Sequence, residues 1–113
     1  MLLEKRFMSD KRYLLSFYVP EEDLESLLEA IFAAGAGKYK DYDRCAWTTS
    51  GNGRFRPLEN SNPTIGRQNE DTKITEIKVE CIIEEENLQA VKEALLQAHP
   101  YEEPAYHFIK IDA

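Results

Sequence analysis

The sequence predicts an α+β domain whose elements follow the order βαββαβ, and three patterns support this prediction. Alternating apolar residues in RYLLSFYV and KITEIKVECII indicate strands, because successive side chains of a strand point to opposite faces. Two segments that begin with acidic residues carry apolar side chains at helical spacing, which is typical of amphipathic helices. The halves also resemble each other, VPEEDLESLLEAIFAAG against IEEENLQAVKEALLQAH, so a strand-helix-strand unit is repeated.

The element boundaries follow from residues that begin or end regular structure. Pro20 ends the first strand and opens the first helix, and Gly35 supplies the left-handed residue that ends that helix. The segment from 51 to 72 holds three of the five glycines and two prolines, which indicates a loop. The predicted strands are residues 12–19, 42–50, 73–83 and 104–111, and the predicted helices are residues 20–35 and 84–99.

Right-handed crossovers place both helices of such a repeat on one face of a four-stranded antiparallel sheet, which is the ferredoxin-like arrangement. The first and third strands are the most apolar toward the helices, so we expect them at the centre of the sheet. We therefore predict a flexible leader at residues 1–11 and a single domain at residues 12–113 with a long loop at 51–72.

Composition narrows the classes of function. The chain has 113 residues, 42% hydrophobic content and a net charge of −7, so an anionic nucleic acid or membrane surface would meet overall repulsion. An export signal and a membrane span are not visible, which predicts a cytoplasmic protein. Cys45 and Cys81 are then expected as reduced thiols that act as small apolar side chains.

The motif HPYEEP, residues 99–104, has two interpretations. Its histidine and carboxylates offer nitrogen and oxygen ligands to a divalent metal ion. Alternatively, Pro100 ends the second helix and Pro104 holds the chain extended, so that the motif is a connector. The metal alternative would use His99, Glu102, Glu103 and His107.

The long loop carries positive charge on an acidic chain. Arg54 and Arg56 flank Phe55 in GRFRP, and the neighbouring glycines allow a ligand to approach the backbone closely. We hypothesise that an arginine pairs with Glu102 or Glu103, or that the arginines hold an anionic ligand. The candidate binding residues are Arg54, Phe55, Arg56, His99, Tyr101, Glu102 and Glu103.

The motifs GNGRFRPLENSNPTIG, EIKVE and AHPYEEPAY resemble the small domain of YqfO-type proteins, which is similar to the trimeric CutA and PII-like families. In longer YqfO-type proteins this domain accompanies a larger one that binds two metal ions, and the motifs of that larger domain are absent here. The resemblance implies an accessory domain that stands alone, has no catalytic centre or cofactor of its own, and assembles into trimers. PII-like relatives use a loop in this position for nucleotides.

The sequence therefore predicts a binding or regulatory module rather than an enzyme. We expect a homo-oligomer, either a dimer or a trimer, whose partners include a small anionic ligand or another protein. The sheet face without helices is expected to expose apolar side chains that mark an interface. The residues assigned to this open face are Leu14, Tyr18, Tyr106 and Phe108. A divalent-metal-binding protein of CutA-like type is the alternative function.

Overall fold

The computed structural model describes residues 11–113. The predicted leader lies outside these residues, except for Lys11, where the first strand already begins. A short 3-10 turn precedes each helix. The elements are β1 (Lys11–Val19), α1 (Leu24–Ala33), β2 (Ala46–Phe55), β3 (Thr72–Glu84), α2 (Leu88–Ala98) and β4 (Tyr106–Asp112). Neither helix in this part of the chain is long and apolar enough to cross a membrane.

The four strands form one antiparallel sheet in the order β2-β3-β1-β4. β1 and β3 are central, as their apolar patterns predict, and they pair from Arg12 opposite Glu84 to Val19 opposite Ile77. The two helices contact each other and pack on the same apolar core. The ferredoxin-like prediction is therefore confirmed.

The core lies between the helices and one face of the two central strands. Leu15, Phe17 and Val19 of β1 are fully buried, because the alternation of the strand turns all three toward the helices. The same periodicity buries alternate residues of β3, and the helices complete the layer. The remaining core members are Leu27, Leu28, Ile31, Ala36, Ile77, Val79, Cys81, Ile83, Val91 and Leu95.

The cysteines are free thiols, as the sequence predicts. Cys81 is buried in β3, and its thiol lies 3.1 Å from the backbone oxygen of Cys45. Burial raises the pKa of the Cys81 thiol to about 12, because the thiolate would lose its hydration.

The predicted loop at 51–72 is shorter in the structure. β2 begins four residues later than predicted and continues to Phe55, where it pairs with Thr72, so the connection covers only residues 56–71. Gly51 and Gly53 have low strand propensity, but their backbones pair with Glu76 and Ile74 of β3. Backbone pairing with a central strand therefore overrides the local composition.

The open face of the sheet differs from the prediction in β4. Tyr106 and Phe108 pack against the core, since Phe108 lies opposite the fully buried Leu15. Their assignment to the open face is therefore wrong, because the other alternate residues of β4 face that side. His107 and Ile109 occupy the open face in their place, alongside Leu14 of β1.

Candidate functional site

A cleft of about 900 Å³ lies on the open face of the sheet, at the end where β1 leads toward α1. Strand residues form its floor, and the connection between β2 and β3 covers it. The turn that follows α2 forms one wall. The lining residues are Tyr18 of β1, Glu76, Lys78 and Glu80 of β3, residues 49–58, Ser61 and residues 63–65, and residues 101–103 and 105.

Two contacts hold the connection against the turn after α2. The backbone N–H of Asn62 donates to the Glu102 carboxylate, with N···O distances of 3.0 and 3.2 Å. The Thr64 hydroxyl donates to the carbonyl oxygen of Pro100 at 2.8 Å. Segments about 40 residues apart in the chain therefore form one cleft, which is the geometry that the hypothesis of a shared site requires.

Two hydrogen bonds within the connection hold its shape. The N–H of Asn69 donates to the carbonyl oxygen of Pro57 at 2.6 Å and closes the loop at its base. The Gln68 amide donates to the carbonyl oxygen of Ser61 at 2.7 Å. Pro57 is buried, so the base of the loop is anchored in the domain while its tip covers the cleft.

His99 lies behind the cleft wall and is only 6% exposed. Its Nε2 lies 2.7 Å from the carbonyl oxygen of Tyr18, and its Nδ1 lies 3.1 Å from the backbone nitrogen of Tyr101. Since the carbonyl can only accept and the N–H can only donate, the ring is neutral with its proton on Nε2. Burial lowers the pKa of His99, which favours this neutral form.

Tyr101 links this wall to the cleft floor. Its hydroxyl donates to Oε2 of Glu76 at 2.6 Å, and its ring lies 4.8 Å from the ring of His99. Burial raises the pKa of Tyr101, and the hydrogen bond to Glu76 adds to the increase, so the phenol remains a donor. Tyr101 thus fixes the Glu76 carboxylate on the floor of the cleft.

Six of the seven candidate residues line the cleft: Arg54, Phe55, Arg56, Tyr101, Glu102 and Glu103. The seventh, His99, positions Tyr101 instead. Within residues 11–113, no ion pair joins either arginine to Glu102 or Glu103, so the hypothesised pairing is wrong. The Glu102 carboxylate instead accepts a hydrogen bond from the Asn62 N–H.

The two arginines differ in position. Side chains alternate along β2, so Phe55 shares the cleft side with Gly53, while Arg54 lies opposite Lys73 on the other side of the strand. Arg56 follows the last residue of β2, at the start of the covering loop. Arg56 is therefore the better placed of the two for a ligand in the cleft.

Sequence reasoning missed the floor residues Tyr18, Glu76, Lys78 and Glu80 as members of the site. Glu76, Lys78 and Glu80 alternate with apolar residues in the sequence, but this pattern alone indicates only a half-buried strand. The signal that could have found them is the two glycines of β2. These positions lack side chains on the cleft side of the strand next to β3.

The alternative metal set is not brought together. Both ring nitrogens of His99 are engaged, and His107 is exposed within β4. Within residues 11–113, no group of three or more histidine, cysteine, aspartate or glutamate side chains is arranged to hold a metal ion. The connector interpretation of HPYEEP therefore describes His99 and Pro100 better than the metal interpretation.

No protein-family model matches the chain. A curated relative, the GTP cyclohydrolase 1 type 2 homolog of Halalkalibacterium halodurans, is 38% identical over 98 residues, which are 87% of this chain and 26% of the relative. The homolog of Listeria monocytogenes is 41% identical over 92 residues, which are 80% of this chain and 25% of that protein. The chain spans about a quarter of the length of the curated relatives it matches.

Solved structures extend these similarities. A Bacillus cereus protein related to NIF3 superposes with a TM-score of 0.79 at 29% identity, covering 92% of this chain and 26% of that protein. The periplasmic divalent cation tolerance protein CutA from Archaeoglobus fulgidus gives a TM-score of 0.65 at 14% identity, covering 90% and 85% of the two chains. The chain is therefore homologous to one segment of the longer proteins named GTP cyclohydrolase 1 type 2 homolog and of a protein related to NIF3, and it shares its fold with CutA.

Proposed function

We propose that this chain is a binding or regulatory domain of the YqfO type, without a catalytic centre of its own, and that a small ligand with an anionic group occupies the cleft. Homology to one segment of much longer relatives supports an accessory role. A cytoplasmic location is part of the proposal, and the two free thiols agree with a reducing compartment.

The observation that carries the proposal is the convergence of two distant motifs on one cleft. Phe55 and Arg56 from the end of β2 face the same space as Tyr101 and Glu103 from the turn after α2. A cleft of about 900 Å³ that combines aromatic residues with charged groups is of the size of small-molecule sites. Arg56 supplies a guanidinium for a carboxylate or phosphate group.

Three groups near the core that could transfer protons or attack a substrate are engaged or held in their protonated form. The pKa of Cys81 is raised to about 12, both ring nitrogens of His99 are bonded, and the Tyr101 hydroxyl is held by Glu76. The relatives are named for GTP cyclohydrolase, but this chain covers only about a quarter of them. We expect no release of product when the domain is incubated with GTP, and measurable turnover would overturn the non-catalytic assignment.

The ligand proposal is tested by thermal shift and calorimetry with nucleotides and organic dicarboxylates. At least one anion should raise the melting temperature, and Arg56→Ala should weaken its binding about tenfold or more, because a charged hydrogen bond is lost. Arg67→Ala is the matched control, since Arg67 is exposed in the same connection and does not line the cleft. Equal effects of the two substitutions, or no stabilisation by any tested ligand that carries an anionic group, would reject the site.

Homo-oligomer formation is the second part of the proposal. The end of the open sheet face away from the cleft carries Leu14 and Ile82, with Trp47 69% and Ile109 51% exposed. Apolar patches of this kind mark interfaces. Light scattering should show a dimer or trimer that Ile109→Asp dissociates. Leu96→Asp, on the exposed side of α2, should leave the assembly intact, and a monomeric native protein would contradict the proposal.

A further inference from the structure

The cleft floor contains a strip of backbone without side chains. Gly51 and Gly53 occupy alternate positions of β2 and therefore both face the cleft, between Thr49 and Phe55. A Cβ atom added to Gly51 would find nothing within 4 Å, so the space above this residue is open. A flat chemical group can lie directly on the backbone at Gly51, whereas an ordinary side chain at this position would fill the space.

Carboxylates border this strip along β3. Glu76 lies opposite Gly51, and a Cβ atom on Gly53 would collide with the Glu76 carboxylate, so the missing side chain is what admits that carboxylate. The Tyr101 hydroxyl fixes the other carboxylate oxygen at 2.6 Å. Glu80 lies on the same side of β3, four residues beyond Glu76 in the sequence.

The charge of the lining does not suit a ligand that is only anionic. Four carboxylates, from Glu76, Glu80, Glu102 and Glu103, line the cleft with two cationic side chains, from Arg56 and Lys78, while the side chain of Arg54 lies on the other side of β2. Two of these carboxylates, Glu76 and Glu80, lie on the floor, while Arg56 lies at the start of the cover. A ligand that carries charges of both signs would match both ends of the cleft.

Aromatic rings add a second requirement. Tyr18, Phe55 and Tyr101 line the same space as the glycine strip. Aromatic faces attract cations, and a planar guanidinium can stack on a ring while it donates two parallel hydrogen bonds to a carboxylate. An ammonium group gains less from a flat floor, because it is not planar.

We infer that the ligand of this cleft is a guanidino acid, a small molecule with a planar guanidinium group and an anionic group. The inference rests on the proposed ligand site and names its chemistry. The guanidinium lies over Gly51 and donates to the Glu76 carboxylate beside it, and the anionic group contacts Arg56.

Calorimetry with four probes tests the inference on the intact chain. L-arginine carries both groups, agmatine lacks the carboxylate, L-citrulline replaces the guanidinium by a neutral urea, and succinate carries carboxylates alone. L-arginine should bind at least about tenfold more tightly than L-citrulline, because the charged pair with a carboxylate is lost in the urea. Agmatine and succinate should each bind more weakly than L-arginine, since each satisfies only one end of the cleft.

Two substitutions locate the binding. Glu76→Gln keeps an oxygen acceptor for the Tyr101 hydroxyl but removes the charge, and it should reduce the affinity for L-arginine about tenfold or more. Glu59→Gln, in the exposed connection outside the cleft, should not change the affinity. Gly51→Val should abolish binding with little effect on the fold, because the space above Gly51 is open and valine favours strands.

Equal affinities for L-arginine and L-citrulline, or no effect of Glu76→Gln, would overturn the inference. If the inference failed in this way but succinate still bound in an Arg56-dependent manner, the proposed anion site would remain supported. If no probe and no anion bound, both proposals would be overturned together.

Discussion

The two helices of the repeat end in different ways, although they occupy equivalent positions. α1 ends at Gly35, which adopts a positive φ of 108°, with backbone bonds from Gly35 N to Phe32 O and from Ala36 N to Ile31 O. These are the bonds of a Schellman motif, which uses only the backbone. α2 ends at His99, which is extended at ψ 135° and uses its side chain to bond Tyr18 and Tyr101.

This difference explains why only one of the two ends forms a site. After Gly35 the chain continues along the edge of β3, where Gly37 N donates to Ile82 O at 2.8 Å. After His99 the chain is tied to the end of β1, so Tyr101 reaches Glu76 and forms the cleft wall. The two halves of the repeat therefore diverge at the position where the cleft wall forms.

The largest effect is expected from His99→Ala. The substitution leaves the Tyr18 carbonyl and the Tyr101 N–H without partners and opens a cavity, so the free energy of unfolding should fall by about 3 kcal/mol. Chemical denaturation measures this change, and ligand affinity should fall with it because Tyr101 loses its support. His107→Ala, on the exposed side of β4, is the control and should change stability little. A small effect of His99→Ala would show that the wall forms without its anchor.

The equivalent test at the end of α1 is Gly35→Ala. A Cβ atom there would lie 2.7 Å from Cγ of Asn87, in addition to the strain of the positive φ. We expect a loss of about 1–2 kcal/mol in denaturation experiments. Ligand affinity should remain unchanged, since the end of α1 does not touch the cleft. A loss of affinity equal to that of His99→Ala would remove the distinction between the two ends.

Much of the fold was predictable because apolar periodicity specifies it locally. β1 and β3 carry apolar residues at every helix-facing position from Tyr13 to Val19 and from Ile77 to Ile83, so their central positions followed from the sequence. The buried face of β4 could not be predicted in the same way, because both of its faces are apolar. Tyr106 and Phe108 lie on one face, and Ile109 and Ile111 lie on the other. Only the pairing of Phe108 with Leu15 establishes which face is buried, and that register depends on tertiary structure.

The site was predictable at the level of motifs but not of contacts. The topology brings the end of β2 and the turn after α2 together, so Arg56 and Glu103 share a cleft. The partner of Glu102 depends on the backbone path of the connection, which presents the Asn62 N–H rather than an arginine. A loop backbone of this kind is not encoded in any residue period, so sequence patterns cannot supply it.

The pH dependence of stability tests whether His99 is held in its neutral form. The pKa of His99 is lowered in the folded state, mainly by burial, although the Tyr18 carbonyl and the charges of Glu76 and Asp23 partly oppose this. The unfolded chain takes up a proton near pH 6.5 and the folded chain only at lower pH, so stability is complete above that value and falls as the pH decreases below it.

Denaturation between pH 5 and 8 should therefore show a decline below about pH 6.5, smaller than the loss in His99→Ala. Carboxylates also titrate toward the acid end, so the informative quantity is the difference between the native protein and His99→Gln. The variant should lack the decline, whereas parallel curves would show that His99 is not held in its neutral form.

The smallest effect is expected where the connection meets the turn after α2. Thr64→Val keeps the shape of the side chain but removes the hydroxyl that donates to Pro100, which should cost about 0.5–1 kcal/mol at this exposed position. Thr48→Val in β2 is the control, because the Thr48 hydroxyl makes no hydrogen bond within residues 11–113. Hydrogen exchange at the Asn62 amide should accelerate in Thr64→Val and not in Thr48→Val. Since Asn62 bonds Glu102 two residues beyond Pro100, unchanged exchange would mean that the Glu102 contact alone holds the cover on the cleft.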